Sequence, residues 1–195
     1  VEKIAAHLEA AHAVIALKAK YVRETEALQN AVKALGANVE IFTMRTYYPA
    51  GDEQVLVNQV TGRVVPERGL PLNVGCVVEN VGTVLNIADA LEGKPVDEKF
   101  LSITGAVETP VMCHAPIGTP ITEVLKKAKL LVNDYVVILG GPMMGKMQKT
   151  REEIENAVVT KTTGNLLVLP KNHYLVKRAA MSVERMARQA ATACL

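Results

Sequence analysis

The sequence contains no tryptophan, and aromatic side chains make up only 4% of its 195 residues. Proteins that bind single-stranded nucleic acid stack the bases on aromatic side chains, so this class of partner is disfavoured. The formal net charge is only +2, and no long run of basic residues occurs. Nucleic acid and anionic membrane surfaces are therefore poor partners for this chain.

Long apolar segments are also lacking. The longest apolar runs, such as residues 135–139, fall far short of the roughly 20 residues needed to cross a bilayer. The first residues follow an amphipathic helical pattern rather than that of a signal peptide, and the cysteines are an odd number without metal-ligand spacing. We expect no membrane span and a reducing, cytoplasmic location. Because the chain starts with Val1 inside a helical pattern and ends one residue after Cys194, we also expect it to be a segment of a longer protein.

The first half of the sequence alternates between helical and strand-like patterns. Apolar residues at helical spacing predict helices over residues 2–11, 24–35, 51–60 and 84–91. Short apolar runs predict strands over residues 13–17, 39–44 and 74–78. This alternation is typical of an α/β fold in which helices pack on a parallel sheet.

The pattern changes at Pro95. Two alternating segments joined by a turn predict a β-hairpin, and a short helix and two further strands follow it. The hairpin covers residues 99–107 and 110–114, the helix 121–128, and the strands 135–139 and 166–169. This order predicts a small α+β, grasp-like domain. One apolar stripe predicts a last helix over residues 174–193.

Two segments carry residues suited to binding a cofactor. In residues 48–53, YPAGDE, Gly51 precedes Asp52 and Glu53 at the start of a predicted helix, where the helix dipole favours acidic side chains. The two acids either serve only the helix start or lie beside a bound ring. The residues alone favour the first interpretation.

The second segment, residues 79–83 (ENVGT), joins a predicted buried strand to a predicted helix. Open α/β sheets bind phosphorylated ligands at such a junction. Asn80 and Thr83 can hydrogen-bond a phosphate or a ribityl hydroxyl, and Gly82 lets a ligand approach the backbone. The alternative is that one of these residues simply caps the helix, which is again favoured by the residues alone.

Other motifs are weaker. Residues 140–147, GGPMMGKM, nearly match a P-loop, but Met147 replaces the magnesium-binding serine or threonine and Pro142 lacks an N–H. We therefore exclude ATP and GTP. The histidines show no zinc-binding spacing, and Cys76 and Cys113 resemble core or hairpin residues. Cys194 is either a small apolar residue or the first ligand in a cysteine series.

The order of these segments is more specific than any one of them. Residues 48–53, 61–63 (TGR), 69–71 (GLP), 78–83 and 140–145 together resemble the RnfC-like component of Rnf-type electron transport complexes. They are also similar, more distantly, to the flavin-bearing, NADH-oxidising subunit of respiratory complex I. Residues 167–170, LVLP, His173 and the helix into Cys194 most resemble the cobalamin reductase family of propanediol-utilisation microcompartments.

The resemblance implies three parts. Residues 1–94 would be the latter part of a Rossmann-like FMN-binding domain, residues 95–170 a soluble-ligand-binding β-grasp domain, and residues 171–195 a helix leading into a 4Fe–4S ferredoxin-like domain. Cys194 would be the first cluster ligand in the parent protein, and no cluster is expected in this segment because the chain ends before a second cysteine.

The resemblance also assigns roles within the flavin site. Gly51, Asp52 and Glu53 would line the flavin ring. The ribityl-phosphate arm would be held by Asn80, Gly82 and Thr83. Glu79 departs from the complex I pattern, which has an asparagine there, and a carboxylate would repel a phosphate. The family's glycine-rich flavin loop would lie upstream of Val1, so that only part of the site is expected here.

These implications predict an electron-transfer protein that passes electrons from NADH through FMN to 4Fe–4S clusters and an acceptor. The acceptor would be a corrinoid, a membrane partner subunit or another reductase, and the segment alone would be inactive. Expected partners are other electron-transfer subunits or a corrinoid-dependent enzyme, with direct NADH binding left open, in the cytoplasm, a microcompartment or a membrane-associated complex. A homodimer through an exposed sheet edge is also expected. The alternative is a non-catalytic module whose β-grasp domain binds a ligand or partner.

Overall fold

A computed structural model describes residues 1–178 of the chain, so most of the predicted last helix and Cys194 lie outside the described residues. The chain forms two compact units, Val1–Leu85 and a second that starts at Asn86. The fold is mixed α/β, with a two-stranded parallel sheet and a five-stranded mixed sheet. No helix among the described residues is long and apolar enough to cross a membrane.

The first unit contains the predicted alternation of helices and strands. Its helices are α1 (Glu2–His7), α2 (Val22–Leu35), α3 (Glu53–Thr61) and the start of α4 (Val81–Leu91), and its strands are β1 (Val14–Lys18) and β2 (Glu40–Met44). β1 and β2 pair in parallel, from Val14 opposite Glu40 to Lys18 opposite Met44. Within the described residues, each strand pairs only with the other. Every β1 residue is therefore only half-buried.

The predicted strand over residues 74–78 is wrong. Pro71–Val74 forms a 3-10 turn instead, and the chain then runs without pairing into α4. The turn closes locally, because the N–H of Cys76 donates to the carbonyl of Pro71 at 3.0 Å and Gly75 adopts a φ of +69°. The first helix is also shorter than predicted. It ends at His7, since Glu9 takes a φ of +53° that a helix cannot contain.

The second unit is built on a sheet with the strand order β4-β3-β7-β5-β6. Its strands are β3 (Glu98–Gly105), β4 (Val111–Pro116), β5 (Tyr135–Leu139), β6 (Lys146–Gln148) and β7 (Asn165–Pro170), and its further helices are α5 (Ile121–Leu125) and α6 (Arg151–Glu155). The predicted hairpin is confirmed as the antiparallel pair β3–β4. β3 and β7 pair in parallel, and the other neighbours are antiparallel.

One face of this sheet holds the main core. Its fully buried members come from alternate positions of the strands and from both short helices, and include Leu101, Ile103, Ile121, Val124, Val137, Leu166 and Val168. The opposite face is covered at one end, where Val136, Ile138 and Leu169 pack against Leu175 and Val176.

Two elements of the second unit are missing from the sequence-based prediction. The end of the P-loop-like segment forms β6, so a strand rather than a P-loop helix follows the glycines. α6 begins at a capping box in which Thr150 accepts from the N–H of Glu153 at 3.1 Å and Glu153 accepts from the N–H of Thr150 at 3.1 Å. The T-x-x-E pattern in the sequence is the signal that would have located it.

Candidate functional site

The first predicted site segment is the N-terminus of α3. Asp52 is the N-cap residue, and its Oδ1 accepts from the N–H groups of Gln54 at 3.0 Å and Val55 at 3.2 Å. Glu53 occupies the first turn and is exposed. Asp52 therefore performs the ordinary capping that its sequence position allows, while the Glu53 carboxylate lies free at the positive end of the helix.

Gly51 is exposed, and a Cβ built on it would meet nothing within 4 Å. Packing within the chain does not require a glycine at this position. The backbone beside Asp52 is therefore open to close approach by another molecule.

The second predicted site segment is the N-terminus of α4. The Oδ1 of Asn80 accepts from the N–H of Gly82 at 2.8 Å, and the carbonyl of Asn80 accepts from the N–H of Val84 at 3.0 Å. Within the described residues, the N–H groups of Val81 and Thr83 have no recorded partner, nor do the Asn80 Nδ2 and the Thr83 hydroxyl. The start of α4 thus combines a capped helix with unused donors.

The structural setting of this second segment differs from the expectation. No strand precedes α4 directly in the described chain, so Asn80 and Thr83 do not lie at the carboxyl end of a buried strand. No hydrogen bond among the described residues joins Asp52 or Glu53 to Asn80 or Thr83. What the structure gives is two separate helix N-termini.

Arg63 organises the chain between these two helices, a role that the sequence did not reveal. Its Nη1 donates to the carbonyl of Val74 at 2.7 Å, and the side chain of Asn58 on α3 donates to the carbonyl of Arg63 at 3.3 Å. Gln54, also on α3, donates to the carbonyl of Gly69 at 3.4 Å. These bonds tie residues 63–76 to α3. Arg63 stands in the TGR motif, which was the available signal.

Metal and thiol chemistry are restricted within the described residues. No group of three or more His, Cys, Asp and Glu side chains among residues 1–178 is arranged to hold a metal ion. Burial raises the pKa of the Cys113 thiol, although the nearby Lys127 opposes the shift. Cys113 therefore stays protonated and unreactive at neutral pH. The predicted cluster ligand, Cys194, lies outside the described residues.

Comparison with protein families supports a flavin-related fold for the first unit. Residues 1–89 match the model of the Nuo51 FMN-binding domain. That range contains both predicted site segments and the Arg63 contacts.

Curated relatives match a larger part of the chain. The cobalamin reductase PduS of Citrobacter freundii is 42% identical over 183 residues, which cover 93% of this chain and 39% of that protein. The cobalamin reductase PduS of Salmonella typhimurium is 43% identical over the same length. The RnfC-type component of the Na+-translocating ferredoxin:NAD+ oxidoreductase complex of Acetobacterium woodii is 36% identical over 153 residues, 76% of this chain and 34% of that protein. The chain spans about two fifths of the length of the cobalamin reductases that it matches.

A solved structure shares the fold. The NAD+-reducing NiFe hydrogenase in its H2-reduced state superposes with a TM-score of 0.69 at 20% identity, covering 83% of this chain and 34% of the hydrogenase chain. At that identity the likeness shows the fold alone.

Proposed function

We propose, from the premise that this chain belongs to the family of the cobalamin reductases and RnfC-type proteins, that it supplies one wall of an FMN site in an electron-transfer flavoprotein. The observation that carries this proposal is the match of residues 1–89 to the Nuo51 FMN-binding domain. FMN, when bound, supplies reversible transfer of a hydride or of single electrons, and the protein binds and orients it.

The start of α4 fits the phosphate arm of FMN. Val81 and Thr83 have backbone N–H groups without a partner in the described chain, and the Thr83 side chain is exposed. The Nδ2 of Asn80 is a further donor, since only its Oδ1 is used for capping. Unpaired N–H groups and the helix dipole both favour an anion at a helix N-terminus. Gly82 would keep the backbone accessible.

The start of α3 suits the flavin ring better than the phosphate. Asp52 and Glu53 are acceptors only, so they would repel a phosphate and would accept from ring N–H groups. The open space beside Gly51 leaves room for the ring to approach. Glu79 is exposed next to the proposed phosphate site, where solvent and salt screen its charge.

For the whole protein we propose electron transfer from NADH through FMN to 4Fe–4S clusters, with Cys194 as the first cluster ligand. A corrinoid is the proposed acceptor, because cobalamin reductases are among the relatives. Further electron-transfer subunits are proposed partners, because other relatives are subunits of ferredoxin:NAD+ oxidoreductase complexes. In this proposal, residues 1–94 belong to a Rossmann-like FMN domain and residues 95–170 form a soluble-ligand-binding β-grasp domain.

A non-catalytic binding module is the second candidate. Most fully buried side chains of the described chain lie in the second unit. That unit also has an exposed, stacked pair of rings, Phe100 and His114. A well-packed unit with an exposed ring pair is suited to holding a ligand without chemistry of its own.

The test is reconstitution with FMN of the complete gene product that carries this sequence. We expect bound flavin, with absorbance near about 450 nm typical of oxidised flavin, and weaker binding of riboflavin, which lacks the phosphate. Asn80→Ala and Thr83→Ala should each lower the FMN content while the far-ultraviolet circular dichroism is unchanged. Full FMN content in both variants would refute the arm assignment, and absence of flavin from the folded wild type would favour the binding module.

A further inference from the structure

The outer face of the β3–β4 hairpin carries exposed apolar side chains around a single imidazole. Phe100 is 61% exposed and Met112 is 73% exposed, and the His114 side chain is 41% exposed. Phe100 lies directly opposite His114 in the antiparallel register, and Met112 precedes His114 by two residues. Because side chains two residues apart in a strand point to the same face, all three share one surface, opposite the main core.

The imidazole of His114 is held in a fixed orientation. Its ring stacks on Phe100 with centroids 4.1 Å apart and planes 22° apart. Its Nδ1 lies 3.0 Å from Oε2 of Glu98. In the neutral ring the Nδ1 proton is donated to Glu98, which leaves a lone pair on Nε2, and Nε2 has no recorded partner in residues 1–178. A carboxylate on the second ring nitrogen is the usual partner of a metal-ligating histidine.

The protein offers no other ligand for a bare ion at this place. No cluster of three or more His, Cys, Asp and Glu ligands exists among the described residues, and Cys113 packs against the core on the other face. A free divalent ion needs several protein ligands. A metal that already has equatorial ligands from a macrocycle needs only one axial donor. Phe100 and Met112 would then cover part of the apolar face of that macrocycle.

Polar groups next to this surface distinguish between kinds of macrocycle. The hydroxyls of Ser102 and Thr104 both donate to Oδ1 of Asn165, at 2.8 and 3.0 Å, and the Nδ2 of Asn165 donates to the carbonyl of Gly140 at 3.1 Å. Both hydroxyl protons are thus used within the sheet. The remaining hydroxyl lone pairs can only accept, so they suit a macrocycle edge with amide N–H groups rather than one with carboxylates.

We propose that His114 is the axial ligand for a corrinoid held on the Phe100–Met112 face, which deepens the proposed function by placing its acceptor. In the binding step the cobalt–water bond breaks, the bond from Nε2 of His114 to cobalt forms, and water leaves without transfer of an electron. Glu98 is a positioning residue that fixes the tautomer and the orientation of the imidazole.

The experiment titrates aquacobinamide, a corrinoid without its own nitrogen base, into the flavin-free full chain while the visible spectrum is followed. We expect the absorption bands to shift on ligation, and His114→Ala to abolish the shift. Glu98→Gln should weaken binding by about 10–100-fold. His12→Ala, which removes an exposed histidine of the first unit, is the matched control and should bind like the wild type. After reduction to cobalt(II), electron paramagnetic resonance should show splitting from one nitrogen in the wild type and none in His114→Ala.

Equal shifts in the wild type and in folded His114→Ala would overturn the proposal, as would a His12→Ala variant that loses binding alone. Hemin is titrated in parallel as a macrocycle with a carboxylate edge. Tighter, His114-dependent binding of hemin would overturn the assignment to a corrinoid. FMN binding is measured separately on the same variants and should be unaffected by His114→Ala, so that failure of the flavin site and failure of this site are distinguished.

Discussion

Replacing Asn80 with aspartate separates the two roles assigned to this residue. As a helix cap, aspartate is as good as asparagine, because either oxygen can accept the N–H of Gly82 that Oδ1 accepts at 2.8 Å. The added negative charge at the start of α4 contributes about 0.3–1 kcal/mol of favourable interaction with the helix dipole. Asn80→Asp should therefore keep or slightly raise the melting temperature.

FMN binding should respond in the opposite direction. The variant loses the Nδ2 donor, worth about 1 kcal/mol as a hydrogen bond. It also places a carboxylate a few ångströms from the phosphate, which costs about 1 kcal/mol or more at an exposed site. The combined cost of about 2 kcal/mol corresponds to a roughly thirtyfold rise in the Kd for FMN. Riboflavin, without a phosphate, should bind Asn80→Asp almost as well as it binds the wild type.

The assay is quenching of flavin fluorescence on titration with protein, for FMN and riboflavin in parallel. Asn73→Asp is the matched control: its Oδ1 accepts from the N–H of Leu70 at 2.7 Å, so the same substitution is made at a similar turn outside the proposed site. An unchanged Kd for FMN in a folded Asn80→Asp variant would refute the reasoning. So would an equal loss of riboflavin affinity, because the effect would then not involve the phosphate.

Other predictions follow from single positions. Gly51→Ala should leave thermal stability unchanged, since a Cβ there meets nothing within 4 Å, yet weaken FMN binding in calorimetric titration; an unchanged Kd speaks against a flavin contact. Gly105→Ala should destabilise the second unit by about 1–3 kcal/mol in urea unfolding, because its φ is +93° and a Cβ would overlap the carbonyl of Val168; wild-type stability would contradict this. Hydrogen bonds from backbone N–H groups, that of Lys149 first, lower the pKa of Glu153, so its contribution to stability is present above the ordinary glutamate pKa of about 4.3 and lost as pH falls through the lowered value. Glu153→Gln should flatten that acid dependence in thermal melts, and an unchanged profile would exclude Glu153 as its source. Finally, the unpaired edges of β1 and β2 should allow dimers, and sedimentation equilibrium showing only monomer at high concentration would contradict this.

The sequence predicted those elements whose signals are local. The helical period located α2, and Gly36 marked its end, where the structure has a left-handed φ of +60°. Alternating apolar residues located the β3–β4 hairpin. These signals suffice because a helix and a two-stranded hairpin bury their apolar positions at a fixed spacing along the chain.

The errors have a physical origin as well. Residues 74–78 are apolar and rich in valine, but a strand also needs a partner for its backbone groups, and none pairs with this segment in the described chain. β6 was hidden in a glycine-rich segment that resembled a phosphate loop. Its pairing with β5 depends on a tight turn in which a Cβ at Gly145 would lie 2.5 Å from the side chain of Ile138.

The sequence by itself determined the caps at Asp52 and Asn80, the order of motifs and hence the family, because caps act over a few residues and motif order is a property of the chain. Only the tertiary structure decided that Arg63 holds the loop before α4 and that Glu98 and Phe100 orient His114. These contacts join residues 11 to 16 positions apart in the sequence. They depend on strand register and on a folded loop, which are set by hydrogen bonds and packing across the whole unit.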